Sequence, residues 1–315
     1  MTALRHVRHL PRQLPVLASL GSALLARGRA PRGSDADSAR AESSRAEVVR
    51  TIAPLAPTLV RDYVAHVGGD PAAYRSALPP HLFAHWGLPL AARCLAGLPY
   101  PLARVINAGC RLDVRAPLPA TQPLVARARL LSADDDGRRA ALSIRVATGT
   151  RDVPDAVVAT IRAFVPLAQA ARENARATAT PTRENAPPRA AIPYDATELA
   201  RWQLERDAGL AFALLTGDFN PIHWLGRAAT AAGFGGPILH GFSLFARAIE
   251  GVVRARFLVT SSRPATWDAR FTRPLRLPAN IALFAAGDDT WVGDARGGAP
   301  YMTLQHGDPP SSRLP

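Results

Sequence analysis

Asp218 and His223 are the two side chains of this sequence best suited to proton chemistry. They lie five residues apart in the segment Gly-Asp-Phe-Asn-Pro-Ile-His. Pro221 restricts the residue before it, Asn220, to extended backbone, which makes the turn rigid. A carboxylate and an imidazole held on a rigid loop can converge on one water molecule or one substrate proton. The alternative is a helix-terminal turn in which Asp218 is a cap and His223 lies on the surface.

A second segment, residues 233–241, leads into an amphipathic helix and predicts an oxyanion site. The backbone N–H groups of a first helical turn have no intrahelical acceptor, and the helix dipole adds positive potential. Gly241 has no side chain, so a substrate carbonyl can approach its N–H group. His240 either orients this loop or is a buried histidine with satisfied hydrogen bonds. The remaining glycines match neither a Rossmann fingerprint nor a Walker loop, which argues against nucleotide binding.

These motifs together resemble the MaoC-like dehydratases, also called type 2 or (R)-specific enoyl-CoA hydratases. The matching residues are Gly217-Asp-x-Asn-Pro-Ile-His223, an alanine-rich continuation at residues 228–232, Gly233-Phe, and Pro237-Ile-Leu-His-Gly241. The resemblance covers residue 202 to the end closely and the first half more loosely. It implies an α+β double hot-dog fold, in which two antiparallel sheets each wrap a central helix as a pseudo-dimer within one chain.

The resemblance also implies catalytic roles. Asp218 would be the general base, and His223 would share the water molecule and the transfer of protons. The N–H group of Gly241 would bind the thioester oxygen, and Asn220 would brace the loop. The implied reaction is the reversible hydration of trans-2-enoyl thioesters to (3R)-3-hydroxyacyl thioesters.

Four further residues are expected to bind substrate or support the loop: His240, Phe242, Arg270 and Arg273. The two arginines would meet the phosphates of coenzyme A or of an acidic acyl carrier protein, unless they are solvated strand residues. Coenzyme A or the carrier protein carries the substrate, and no further cofactor is expected. The histidines have no cysteine or acidic partners at ligand spacing, so we expect no metal site.

The elements that position these residues fall into two similar halves. Each half opens with a helix, which in the second half is expected at residues 199–215, and then has a Gly-Asp turn (at residues 69–70 and 217–218). Each half continues with a second helix, expected around residues 87–98 and 240–256, and ends in strands. In the first half Ala72-Ala73-Tyr74 follow the turn and no histidine lies at the matching place, so one active site per chain is expected. In the second helix of the second half, Arg247, Glu250 and Arg254 line the face opposite the apolar one. The predicted organisation is an arginine-rich flexible arm (1–45), a degenerate hot-dog domain (46–167), a linker (168–191) and a catalytic hot-dog domain (192–315).

Composition limits the classes of function. The chain has 315 residues and a net charge of +13, and its 38 basic residues are all arginine because it contains no lysine. We attribute much of this charge to compositional bias and to the arm, and we expect no nucleic-acid partner. Two cysteines are too few for a disulfide framework, which favours a cytoplasmic location. The apolar stretch 14–26 is too short for a membrane span.

The combined hypothesis is a cytoplasmic hydro-lyase of fatty acid metabolism, either a monomer with an internal pseudo-dimer or a homodimer. Two alternatives remain from the sequence. One is a thioesterase on the same scaffold, and the other is a non-catalytic partner subunit that binds acyl thioesters.

Overall fold

The computed structural model describes residues 3–13, 46–96, 98–100, 105–167, 191–257 and 265–307. Most of the expected arm, including the apolar stretch 14–26, lies outside the described residues. The expected linker lies outside them too, except for its last residue.

The described residues of the first half form two α-helices and seven strands. They are β1 (Val48–Ile52), α1 (Pro57–His66), β2 (Ala77–Leu78), α2 (Ala84–Leu95), β3 (Ile106–Val114), β4 (Leu118–Pro119), β5 (Leu124–Asp135), β6 (Arg139–Gly149) and β7 (Val157–Pro166). A 3₁₀ segment, Pro80–Phe83, runs directly into α2. Trp86 of α2 donates a hydrogen bond to Thr148 Oγ1 on β6, at 2.9 Å, which joins the helix to the sheet.

The described residues of the second half repeat this plan with three α-helices and five strands. They are β8 (Thr197–Leu204), α3 (Ala208–Thr216), α4 (Gly226–Ala231), α5 (Gly241–Arg256), β9 (Thr266–Phe271), β10 (Ala279–Ala286), β11 (Asp289–Gly293) and β12 (Met302–Gly307). None of the described helices combines the length and hydrophobicity that crossing a bilayer requires.

The strand order shows that the two halves have one topology. Ten strands form a single antiparallel sheet in the order β1-β5-β6-β7-β3-β9-β12-β11-β10-β8. Counted outward from the centre of the sheet, the order is β3, β7, β6, β5, β1 in the first half and β9, β12, β11, β10, β8 in the second. Apart from the short strands β2 and β4, strands at the same distance from the centre have the same place in the chain order of their half. Helix α2 packs on the strands of the first half and α5 on those of the second. The architecture is therefore α+β and internally duplicated, as the sequence predicts.

The halves join where β3 pairs with β9. Gly109 lies opposite Arg270, and Leu112 lies opposite Trp267. Arg162 of β7 also forms an ion pair with Asp268 of β9. One continuous cluster of buried side chains extends from the first half into the second, so the two halves share a core.

Helix α5 has two polar residues buried on the face that the sequence predicts to be polar. Its apolar periodicity is present, but Arg247 and Glu250 are only 5% and 4% exposed. Tyr74 and His81 of the first half bond to Glu250, at 2.7 and 2.9 Å. Two of the three residues of the predicted polar face are therefore covered by the first half, because α5 lies between the two halves, whereas Arg254 is exposed.

Three other local expectations need correction. Residues 199–204 are strand rather than helix, because β8 pairs with the edge of β10. Helix α2 begins at Ala84, so Gly87 lies inside the helix and does not open it. Residues 3–13 are not a loosely attached arm. The N–H group of Ala3 bonds to Asp207, and the buried Gln13 side chain donates to the Leu214 carbonyl, at 2.9 and 3.0 Å.

The junction of the halves leaves no room for a side chain at Gly109. A Cβ atom there would lie 2.2 Å from the Ala269 carbonyl oxygen across the β3–β9 pair. We expect Gly109→Ala to lower the free energy of unfolding by about 1–3 kcal/mol, because the strands must separate to admit a methyl group. Urea unfolding followed by circular dichroism measures this. Gly226→Ala is the control, because a Cβ atom there meets nothing within 4 Å. Equal stability of the two variants would contradict the close pairing.

Candidate active site

The Asp218 loop begins where helix α3 ends. Gly217 adopts a left-handed backbone with φ +81° and its N–H group bonds to the Ala213 carbonyl, a conformation that favours glycine. Asp218 Oδ1 accepts from the Asn220 N–H group, and Asn220 Oδ1 accepts from the Ile222 N–H group, both at 3.3 Å. These side-chain bonds to the backbone hold the turn that carries both Asp218 and His223.

The segment before α5 is fixed against this loop. The N–H group of Ile238 donates to the Ile222 carbonyl, and that of Leu239 donates to the Leu275 carbonyl, at 3.2 and 2.8 Å. Gly209 of α3 also contacts the loop closely, because a Cβ atom there would lie 1.9 Å from the His223 carbonyl oxygen. The chain therefore brings His240 directly onto His223.

His223 has a defined proton arrangement. Its Nδ1 lies 2.8 Å from the Ile238 carbonyl oxygen. A carbonyl can only accept, so Nδ1 carries the proton and Nε2 of the neutral ring is an acceptor. Burial lowers the pKa of His223, and the negative charge of Asp218 opposes this in part. His223 is accordingly a neutral imidazole at pH 7.

His240 lies beneath His223 and is 2% exposed. The two rings are stacked, with centroids 3.6 Å apart. His240 Nε2 lies 3.0 Å from the Asp218 carbonyl oxygen and must donate to it, while Nδ1 is buried without a hydrogen-bond partner among the described residues. Burial lowers its pKa to about 3, helped by the neighbouring His223. Of the two roles the sequence left open for His240, this contact supports the positioning one.

The cluster also brings together potential metal ligands, which the sequence did not predict. Atoms of Asp218, His223 and His240 lie within 4.8 Å of one another. However, the two ring planes are only 26° from parallel and 3.6 Å apart. Their in-plane lone pairs cannot meet on one ion at about 2 Å, the usual metal–nitrogen distance. In this arrangement the three residues fit a proton-transfer site better than a metal site.

Gly241 is the first residue of α5 and faces the same cavity as Asp218 and His223. A Cβ atom at Gly241 would lie 2.8 Å from the ring of Phe271. The glycine is therefore required by Phe271, which packs against the helix terminus. Its N–H group belongs to the first turn and has no acceptor within the helix.

The cavity of about 330 Å³ around these groups is built by both halves. Phe242 lines it from α5, is 2% exposed, and packs edge-to-face on Phe83 of the first half at 5.6 Å. Val105, Asn107 and Phe164 reach it from the first half. Sequence reasoning missed these three. The signal available was Asn107, a polar residue at the start of an apolar strand.

A second cavity of about 160 Å³ continues into the first half. It shares Asp218, Asn220, Val105 and Asn107 with the first cavity. Its other walls are mostly apolar and come mainly from α2, β6 and β7: Ala84, Leu88, Pro89, Ala91, Ala92, Leu95, Ile144, Ile161, Ala163, Thr216 and Gly217.

The predicted arginines lie in different places. Arg273 lines the larger cavity, pairs with Asp294 at 2.8 Å, and stacks over Tyr301 with its guanidinium carbon 3.6 Å from the ring centroid. Arg270 is exposed on β9 and is not among the residues that line either cavity.

The corresponding region of the first half carries different side chains. Asp70 caps the 3₁₀ segment Pro71–Tyr74 by accepting from the Ala72 N–H group. Tyr74 and His81 are buried and bond to Glu250, and Tyr63 bonds to His81 at 3.0 Å. These side chains satisfy one another.

Comparison with known proteins gives one family match. Residues 181–292 match the model of the MaoC like domain. Among curated proteins, no sequence match was found.

Solved structures share the fold. HtdX of Mycobacterium tuberculosis is 20% identical, with 83% of this chain and 100% of that chain covered and a TM-score of 0.64. A MaoC-like dehydratase from Phytophthora capsici is 14% identical, with 86% and 98% covered and a TM-score of 0.63. Another M. tuberculosis protein, described as having a double hotdog fold, is 16% identical, with 82% and 94% covered and a TM-score of 0.53. The fold is thus a double hot-dog, and the internal pseudo-dimer is confirmed.

The electrostatic contact between Asp218 and His223 can be tested directly. Because the negative charge of Asp218 raises the pKa of His223 against burial, we expect Asp218→Asn to lower that pKa further below the ordinary value of 6.5. Titration of the histidine ring signals by NMR measures it. Asp289→Asn, on strand β11, is the matched control and should leave the pKa unchanged. A rise of the pKa in Asp218→Asn would contradict this geometry.

Proposed function

The chain carries a MaoC-like domain at residues 181–292, and from this premise we propose that it is an (R)-specific hydro-lyase of enoyl thioesters. The single observation that carries the proposal is the pair of proton acceptors, Asp218 and His223 Nε2, facing one cavity together with the first turn of α5. An addition of water needs acceptors for the water and a donor for the thioester oxygen.

Water activation follows from the two acceptors. A water molecule between Asp218 and His223 donates one O–H to the carboxylate and the other to Nε2. Its lone pair then faces C3 of the substrate. His240 takes no proton in this scheme, since its Nε2 already donates to the Asp218 carbonyl and its pKa is about 3. It acts as a positioning residue that holds the Asp218 backbone and the His223 ring.

The oxyanion site stabilises the negative charge that develops during the addition of water. As the water oxygen bonds to C3, one proton passes to the Asp218–His223 pair and the C2–C3 π electrons move towards the thioester oxygen. The N–H group of Gly241 stabilises the negative charge there. The enolate then collapses, and C2 takes the proton back from the same pair. The reverse sequence is dehydration, and the same groups perform it.

The first half would supply the acyl site. The smaller cavity opens beside Asp218 and is lined mostly by apolar residues of α2, β6 and β7, which suits a hydrocarbon chain. Arg273 at the rim of the larger cavity suits the phosphates of a coenzyme A or acyl carrier protein thioester. The cytoplasmic location and the absence of a further cofactor stay predictions.

Removal of either acceptor should abolish most of the activity. We expect Asp218→Asn and His223→Gln each to lower kcat/KM for crotonyl-CoA by about 10²–10⁴-fold, while the fold is retained. The decrease of enoyl thioester absorbance measures hydration, and chiral analysis of the product tests for the R alcohol. Asp70→Asn, at the matching turn of the first half, is the control and should keep full activity.

Other outcomes separate the competing functions. Full activity in both variants would overturn the assigned site. Release of free thiol without hydration would favour a thioesterase. Tight acyl binding without turnover, across crotonyl-CoA and longer enoyl thioesters on both carriers, would favour a non-catalytic partner subunit.

The acyl site makes a second prediction. Ala92 is half-buried and lines the smaller cavity. We expect Ala92→Phe to lower kcat/KM for long enoyl chains by at least about tenfold while crotonyl-CoA is hydrated as before, since the added ring fills apolar space. Ala96→Phe, one turn further along and outside the cavity lining, is the control. An equal loss for short and long chains would contradict this placement of the acyl chain.

A further inference from the structure

Arg247 is a buried cation that forms no ion pair with a carboxylate of the described residues. It lies in the middle of α5 and is 5% exposed. Its Nη1 donates to the His66 carbonyl, and its Nη2 lies 3.1 Å from His66 Nε2. Its Nε is buried with no hydrogen-bond partner among the described residues. None of the ion pairs within the described part of the chain includes Arg247.

The buried charge of Arg247 favours an anion beside it. Burial lowers the pKa of Arg247 to about 10, so the guanidinium is still protonated at pH 7. A buried charge that is unpaired is costly, and a bound anion offsets this cost. His66 does not supply it, because burial and the charge of Arg247 lower the pKa of its ring and keep it neutral.

A cavity of about 510 Å³ lies beside Arg247, between the first described residues, α1 and β8. We call it the arginine cleft. Arg5, Arg8 and Arg201 also line it. Arg8 bonds to Asp62, and Arg201 bonds to Glu198. Arg5 and Arg247 have no such ion pair among the described residues, and the four arginines of the lining outnumber its two carboxylates, Asp62 and Glu205. The cleft therefore keeps an excess of positive charge.

The same region contains a group of possible metal ligands, His6, His9 and Asp62. Here a cation is disfavoured. His9 Nε2 and Arg8 already bond to Asp62, and Arg12 lies 3.1 Å from His9 Nδ1. A metal ion would have to displace these bonds next to several guanidinium groups. The cluster instead adds polarity to an anion site. The buried His6 Nδ1 lies 3.8 Å from Asp62 Oδ2 and has no hydrogen-bond partner among the described residues.

The remaining wall of the cleft is apolar except for Gln203. Trp202, Leu204, Ala65 and Ala208 line it, and its volume lies within the range of small-molecule sites. We propose that the arginine cleft binds a small organic anion whose phosphate or carboxylate head meets Arg247 and Arg5 and whose body packs on Trp202. None of the residues lining this cleft lines the two cavities at Asp218. The cleft is thus a second site, independent of the proposed catalysis.

Binding is tested on the full chain with three probes, which are inorganic phosphate, AMP and octanoate. Chloride at equal ionic strength is the reference anion for each. Isothermal titration gives the Kd, and the thermal unfolding midpoint gives a second readout. We expect AMP or octanoate to bind more tightly than inorganic phosphate, and their comparison identifies the head group. Arg247→Met and the exposed Arg5→Ala should each raise the Kd about 10- to 100-fold, the loss of a charge-assisted hydrogen bond.

Two controls separate the cleft from other effects. Arg254→Ala removes an exposed arginine of the same helix that donates to the Gly68 carbonyl and does not line the cleft, so it should keep the wild-type Kd. Asp218→Asn should also keep it, which distinguishes this site from thioester binding at the proposed active site.

Three results would overturn the proposal. The first is that no probe binds at 10 mM, a concentration that corresponds to about 2.7 kcal/mol of binding free energy. The second is an unchanged Kd in Arg5→Ala and Arg247→Met. The third is an equal Kd for inorganic phosphate and both organic anions. If Arg247→Met fails to fold, Arg5→Ala decides, since that side chain is exposed.

Discussion

The antiparallel pairing of β3 with β9 is the contact on which the rest of the molecule depends. It joins two five-stranded units into one ten-stranded sheet and closes a single core around α2 and α5. Because β3 starts at Ile106, the same pairing carries Val105 and Asn107 to the loop of Asp218. The cavity at Asp218 is thus a product of the junction, and neither half encloses it alone.

Burial decides the chemistry available at that junction. Removing imidazole from water disfavours its charged form, which leaves His223 and His240 neutral. Each ring then donates from one nitrogen to a backbone carbonyl, so the other nitrogen lacks a proton. In His223 that acceptor adjoins the cavity, whereas in His240 it is sealed in the protein. The two histidines therefore differ in whether their unprotonated nitrogen lies beside the cavity.

The duplicated fold holds unlike polar groups in its two halves. The first half has Tyr74 and His81 bound to Glu250, and the second has Asp218 beside His223 and His240. In the first set the groups satisfy one another. In the second, Asp218 and His223 line a cavity. Identical topology thus leaves the chemistry to the side chains, as is usual when function is built on a common fold.

The sequence by itself determined the local features. Pro221 and Asn220 set the turn, Gly217 ends α3, and the periodicity of α5 marks its apolar stripe; each depends on residues close in the chain. Three features depend on long-range contacts, so only the tertiary structure decided them. They are the burial of Arg247 and Glu250, the placement of Asn107 in the cavity, and the strand at residues 197–204. The periodicity of α5 shows which of its side chains are polar, but the residues that cover them come from a distant part of the chain. The pairing of the edge strand β8 with β10 likewise has no signal in the sequence of β8 itself.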